Sequence, residues 1–467
     1  MRWRDTLEPA AMQRVALAAC SDSLRDVLVQ AADEGCVQLE EPEGDGEAGH
    51  GAAAERLLRL RVRAELPPTL STRSPDLDRC ERMGRLDLIA GEAAVEQRMT
   101  QALTRDGVSA LVGWAPVDRL PVLADRVAGH GGAVVPLVAP RGLQPPTLLS
   151  DRAGSRDFAP LVETYATVPY ADLNPSLLAG LAYVVMFGMM FADAGHGLLL
   201  LAAALVVRWR PSAWMRPARP VWLFLAGAGL MSIVFGALYG EFFGPTGVLP
   251  VLWLEPLQSP IELITASVVV GGVLLAGAYA LGSVNRFREG GWRRAVYAPS
   301  GLAGATLFLA LVCLASGLYL GVGALVGAAV VLAAAGLTAS YAGLLAAGGG
   351  GAAGAVEAAV ELFDLVVRLG SNLVSFARLA AFGLTHAALG AVVWDGTTGL
   401  WSRGGFALVG AVVLFLVGNA VTFALEGLVA AIQALRLEYY ELFSRVFDSE
   451  GVPFRPWHIP ITTEEVA

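Results

Sequence analysis

The chain has no lysine, so all 33 of its permanently basic side chains are arginine. The codon bias of a GC-rich genome accounts for that, and it excludes nothing. The other shortages exclude more. Charged residues make up only 16% of the 467, against 55% hydrophobic, and the mean hydropathy is +0.57. That rules out an ordinary soluble domain and fits a polytopic membrane protein, mainly α. The net charge of −9 gives no reason to expect a nucleic-acid partner. Cysteine is scarce too. Cys20, Cys36, Cys80 and Cys313 lack metal-ligand spacing, and the first three read as reduced cytosolic thiols. The opening residues, MRWRDTLEPAAMQRVALAAC, contain no apolar core long enough for a signal peptide, so the first domain is expected in the cytoplasm. No phosphate loop is expected either, because GGGGAAGA (348–355) is not followed by Lys-Ser/Thr. No catalytic, cofactor or metal site is expected.

What is there falls into two parts. Most charges lie before about residue 170 or after 435. Within the first part, QRVALAAC, SDSLRDVLVQAADEG and CVQLEE read as strand, helix, strand. A polar glycine-rich break (41–54) follows, then helical stretches near 54–63 and 76–105. VSALVGWAPVDRLPVLADRVAGHGGAVVPLVA again reads strand, helix, strand. The expected fold is a cytosolic α/β domain of two small βαβ-type lobes (1–170), a transmembrane domain (171–450) and a cytoplasmic tail (451–467). Membrane segments are expected near 177–192, 194–208, 219–240, 261–284, 297–319, 321–346, 357–394 and 405–435. Arg208, Arg210, Arg216 and Arg219 fall in one loop, and Arg286, Arg288, Arg293 and Arg294 in another. With a cytoplasmic start, both loops lie inside only if 177–208 crosses twice, turning near Asp193–Gly197. Eight crossings with both termini cytoplasmic is the consistent solution.

The last two segments carry ionisable groups that a bilayer makes expensive, at least roughly 2.5–3.5 kcal/mol for an arginine at mid-depth. Projected as a helix from Arg378, Ser371 and Thr385 fall about 20° away, Asp364 about 40° and Ser375 about 60°. From Glu426, Asn419 and Gln433 are about 20° off and Thr422 about 40°. Two continuous polar stripes on sequential helices suggest a wet path. His386 lies roughly 12 Å beyond Arg378, and Arg436 roughly 15 Å beyond Glu426. Packed as an antiparallel hairpin, the arginines share one level and His386 with Glu426 another, while Asp364 and Glu361 lie on the cytoplasmic side. That order suits two proton half-paths separated by a cation that keeps its proton. The bland alternative is a bundle held by pairing the arginines with Asp364, Glu426 or Glu438. Asp193 and His196 beside two glycines read first as turn-shaping, with a proton role as the alternative, and Glu241 as an anchor or a vestibule group.

At these residues the sequence resembles a known family. FGMMFADAGHGLLLL (187–201), GALYGEFFG (236–244), SNLVSFARLAAFGLTHAALG (371–390) and LEGLVAAIQALRLEYYELFSRVF (425–447) are similar, in order, to signature blocks of the V-type/A-type ATPase membrane stator subunit, called a or I. The stretch 145–178 resembles the lead into its membrane domain. The resemblance implies a non-catalytic subunit with an eight-helix domain beside a proteolipid ring, contacts to peripheral stalks and to the central-stalk ring adaptor, and a bilayer location. A bacterial plasma membrane is the expected one. It implies that Arg378 faces the ring carboxylate, that Arg436 is the second arginine, and that His386 and Glu426 serve the outer half-channel. Glu361 or Asp364 would serve the inner one, with Gln433, Ser375 and Asn419 along the path. FAD replaces the usual FGD, and the N-terminal part is short for this family. An autonomous proton-coupled secondary transporter is the alternative from another class, although only one broken-helix candidate is visible, at 193–197.

Overall fold

A computed structural model describes residues 8–40, 51–60, 67–140, 142–149, 158–210, 219, 221–349, 351–447 and 450–462. The polar break at 41–50, Arg63, Arg216 and the last five residues of the expected tail lie outside them. The chain divides into two compact units, Pro9–Leu149 with Gly451–Ala467, and Met1–Glu8 with Ser150–Glu450.

The first unit is α/β. Its elements are β1 (Met12–Cys20), α1 (Leu24–Glu34), β2 (Gln38–Leu39), α2 (Ala52–Arg59), β3 (Leu70–Ser71), α3 (Leu77–Arg82), α4 (Leu86–Thr100), β4 (Leu103–Arg105), β5 (Val108–Pro116), α5 (Leu120–Ala128), β6 (Gly132–Leu137) and β7 (Ile461–Thr462). The two expected strand–helix–strand stretches do not make separate lobes. Their strands interleave in one sheet, in the order β2-β5-β1-β6 with β4 beside β5. The reason is visible in β1 and β5. Each is a nine-residue strand, and they pair antiparallel from Met12–Pro116 to Cys20–Val108. Val15, Leu17 and Ala19 alternate onto one face and are buried together with Val27, Leu28 and Ala31 of α1. A split βαβ, ferredoxin-like arrangement results. The single helix expected over 76–105 is two, because Gly84 takes a left-handed φ of 71° and the chain turns before α4.

Residues 451–462 are built into this unit and do not stand apart as a tail. Trp457 N–H donates to the Val37 carbonyl (2.8 Å), Leu70 N–H donates to the Pro460 carbonyl (2.9 Å), and β7 runs parallel to β3. Ile459 is buried in the same core as β1 and α1. The domain boundary expected at 170 therefore differs from the contact boundary at Leu149.

The second unit is helical. After α6 (Ala159–Glu163) come α7 (Ser176–Met190), α8 (Ala194–Trp209), α9 (Trp222–Tyr239), α10 (Pro260–Tyr297), α11 (Leu302–Leu320), α12 (Gly323–Ala347), α13 (Gly351–Ser375), α14 (Ala377–Trp401) and α15 (Ala407–Leu437). A π-helical turn (Glu438–Phe443) and α16 (Ser444–Val446) close it. Among the described residues, six helical runs are long and apolar enough to cross a membrane: α9, α10, α11, α12, α13 with α14 (51 residues), and α15 with its extension (40 residues). The other two expected segments, α7 and α8, are apolar but have only 15 and 16 residues. Length and composition thus give six spans and two short apolar helices where the sequence reading counted eight crossings.

Two loop expectations are corrected. Arg208, assigned to one loop, sits in the last turn of α8, while Arg286 and Arg288, assigned to the other, lie inside α10 and Arg286 is fully buried. The helix continues until Gly290 and Gly291, where φ of −145° and +69° kink it. Arg286 Nη2 lies 2.8 Å from Glu289 and 3.7 Å from Asp172, both carboxylates being largely or wholly buried. Burial, reinforced by Glu289, pushes the Asp172 carboxyl up to about 7. Arg288 Nε donates to the Ala171 carbonyl (2.7 Å), so the arginines of this stretch pin the segment that leads into α7.

Candidate functional site

The site begins where α7 stops. Phe191 leaves helical geometry, and Asp193 caps α8 by accepting from His196 N–H (2.8 Å). The same carboxylate accepts from Phe243 N–H (3.0 Å) and Gly244 N–H (2.8 Å), tying the GEFFG loop to the break. Aspartate is favoured here because a short acceptor reaches exposed amides at a helix start. His196 Nδ1 is 3.7 Å from Asp193, and its ring centroid is 5.6 Å from that of His386 on α14. His386 is buried, and its Nδ1 is in direct hydrogen-bonding contact with Glu426 Oε2 on α15. Phe191 packs against both histidine rings and Phe423 against His196, and Glu241 is buried alongside Gly390 of α14.

Two turns away lies a second polar group. Ser371, Asn372, Ser375 and Arg378 line a cleft of about 640 Å³ with Arg436, Tyr439, Tyr440 and Glu441. Arg378 Nη2 is 3.8 Å from the Glu441 carboxylate, while its Nη1 is buried without a hydrogen bond among the described residues. Arg378 follows a local interruption. Phe376 separates α13 from α14 and is fully buried, its ring lying where a Cβ on Gly271 of α10 would stand. Only glycine permits that approach, and it fixes the arginine two residues on. On the cleft wall, the Asn372 amide, oriented to satisfy both of its bonds, accepts from Arg445 Nη2 (2.8 Å) and donates to the Arg368 carbonyl (3.1 Å). Arg445 also stands over the Tyr279 ring of α10 at 5.7 Å.

The sequence candidates divide accordingly. His386 meets Glu426, and Arg378, Arg436 and Ser375 share the cleft. Gln433 is half-buried with its Oε1 unbonded, and Asn419 donates from Nδ2 to the Phe415 carbonyl (2.9 Å). Asp364 is not brought to Arg378. It pairs with Arg368 on an exposed face of α13, and Glu361 is exposed one turn earlier. Arg436 makes no ion pair among the described residues, so neither Glu426 nor Glu438 takes up its charge. Glu441 escaped sequence reasoning. On a straight α-helix it projects about 140° from Arg436, and the π-helical turn is what changes its aspect. His196, which the sequence offers for a turn or for a proton role, stands ring to ring with His386 in the structure. Its signal was proximity in sequence to an intramembrane break.

Comparison with known proteins gives the family of the chain. A family model described as "V-type ATPase 116kDa subunit family" matches residues 99–249 and 355–459, more than half of the chain, and these ranges include Asp193, His196, Glu241, Arg378, His386, Glu426, Arg436 and Glu441. The chain belongs to the V-type ATPase 116kDa subunit family. Among relatives in this family, "A-type ATP synthase subunit I" of Archaeoglobus fulgidus is 29% identical over 405 residues, covering 74% of this chain and 58% of the relative. The protein of the same name from Aeropyrum pernix is 27% identical over 352 residues, covering 64% and 50%. "V-type ATP synthase subunit I 2" of Treponema pallidum is 31% identical over 170 residues, covering 32% and 36%. The chain spans about half the length of the curated relatives it matches. With six runs able to cross a bilayer, this member of the family is a multi-pass membrane protein.

Proposed function

We propose that the chain is the non-catalytic membrane stator subunit of a rotary V/A-type ATPase. It crosses the membrane eight times with both termini in the cytoplasm, the short α7 and α8 each counting as one crossing and turning around Asp193. In this reading α14 and α15 offer two half-channels to a proteolipid ring, and the α/β unit contacts the peripheral stalks and the central-stalk ring adaptor. ATP chemistry belongs to partner subunits.

The observation that carries the reading is the separation of two kinds of group on one hairpin. A titratable pair, His386 with Glu426, sits on one level, and Arg378 sits eight residues away facing a polar cleft. Histidine and glutamate exchange protons readily, whereas arginine holds its proton at any physiological pH. A ring carboxylate brought to the cleft would lose its proton beside the guanidinium, whose charge favours the ionised acid. The positive charge also repels a hydronium, so protons cross only on the moving carboxylate. Glu441, 3.8 Å from Arg378, holds the guanidinium in place, and its distance leaves room for a competing carboxylate.

The test is Arg378→Ala in the assembled complex reconstituted into vesicles. ATP-driven acidification is expected to fall to background with assembly intact. Normal acidification by that variant would refute the reading. An autonomous transporter would instead be active after purification free of ATPase subunits and proteolipid.

A further inference from the structure

Asp193, His196 and His386 each present a ligand atom, the three atoms lie within 4.8 Å of one another, and all three residues are buried. We propose that this cluster is a binding site for a divalent transition-metal ion of the zinc class. The sequence reading expects no metal site, and the two histidines lie 190 residues apart on α8 and α14.

Each side chain is prepared for the role by a different contact. Glu426 engages Nδ1 of His386, which leaves Nε2 as the ring's free lone pair. That carboxylate–histidine pairing is how metal-ligating imidazoles are usually oriented. Neither ring nitrogen of the buried His196 makes a hydrogen bond among the described residues. A buried imidazole with both nitrogens unpaired is costly, and a metal bond removes that cost. Asp193 accepts three backbone N–H groups, so of about four lone-pair sites on a carboxylate roughly one is left. Those three bonds also hold it rigid. In a tetrahedral zinc site, ligand atoms about 2.0–2.2 Å from the metal stand about 3.3–3.5 Å apart. The present spread needs a closure of about 1 Å, within reach of small rotations of the two rings.

The donor set selects the ion. Two imidazoles and one carboxylate suit zinc, copper, nickel or cobalt, and disfavour magnesium and calcium, which take oxygen shells. The fourth position falls to water or to Glu241, buried nearby with Oε2 unbonded. Resting on the function proposed above, a bound metal takes the lone pair of His386 beside Glu426 and blocks proton exchange there. Zinc is then an inhibitor of transport.

The purified complex in detergent is titrated with Co²⁺, which reports tetrahedral nitrogen ligation by visible absorption. One such Co²⁺ per chain is expected, displaced by Zn²⁺ and insensitive to His130→Gln on the exposed end of α5. His196→Gln should abolish the band. Glu426→Gln, which keeps all three ligands, should weaken binding about 10–100-fold. Absence of the band at millimolar cobalt, or a band unchanged in both variants, overturns the proposal. A band that responds to the variants upholds the site even if Zn²⁺ leaves transport untouched, and that outcome would count against the proton path through His386. Failure of the proton path alone is read separately, from Arg378→Ala.

Discussion

An ionised side chain inside an apolar run stands out because each such placement is expensive. Arg378, His386 and Glu426 were legible in the sequence for that reason, and their levels followed from helical rise alone. The partners of those residues were not legible. Glu441 is hidden by a change of helical pitch, and Asp364 is drawn off by Arg368 one turn away. If His386 and Glu426 form one relay, His386→Ala should slow ATP-driven acidification without abolishing it, since water fills the vacated space. A rate equal to that of Arg378→Ala would contradict the relay. Asp172 allows a cleaner test of electrostatics. Its folded carboxyl titrates up to about 7, through burial first and Glu289 second. An unfolded aspartate titrates near 3.9, so the folded state holds the proton more tightly. Stability should therefore fall as pH rises from about 4 to about 7 and level off above. In Asp172→Asn the thermal midpoint in detergent should lose that slope. Thiols give a third readout. Cys20 is exposed, while burial pushes Cys36 up to about 11 and also raises Cys80. Maleimide at neutral pH should label Cys20 in the folded protein and leave Cys36 and Cys80 unmodified until denaturant is added.

At the scale of elements, existence was easier to read than continuity. The apolar runs marked α9 to α15 because each exceeds or approaches the bilayer width. Sequence patterns did not reveal that α10 carries Arg286 inside the bundle, since a buried arginine looks like a loop charge until Asp172 and Glu289 are seen beside it. Nor did they reveal the contact that seats α14. Phe376 packs where Gly271 has no side chain, and a Cβ there would overlap the ring. Gly271→Ala should destabilise the unit by about 1–3 kcal/mol through overpacking. Gly277, on the same helix with nothing within 4 Å of an added Cβ, is the control. There alanine should be neutral or gain up to about 1 kcal/mol from helix propensity. Thermal midpoints of the two variants in detergent decide it, and equal shifts would mean that the Phe376 seat carries no weight.

For the whole molecule, the division into a polar and an apolar part was written in the charge distribution, and the helical character of the second part followed. The topology of the first was not. Local periodicity locates strands but does not say which strand lies beside which, so two adjacent βαβ patterns read as two lobes. Only the paired nine-residue strands Met12–Cys20 and Val108–Pro116 show that they share one sheet. The same limit hid the role of the final segment, whose short strand and few core side chains are too brief to show a pattern.

That final segment has a consequence for biosynthesis. Trp457, Ile459 and Ile461 complete a core whose other members precede residue 140, and every helix of the second unit is translated in between. At about 5–20 residues per second, roughly 15–60 s separate the first half of this core from its last side chains. Throughout that interval the nascent domain shows an open apolar seam to chaperones and proteases, and it closes only after the last hydrophobic helix has left the ribosome.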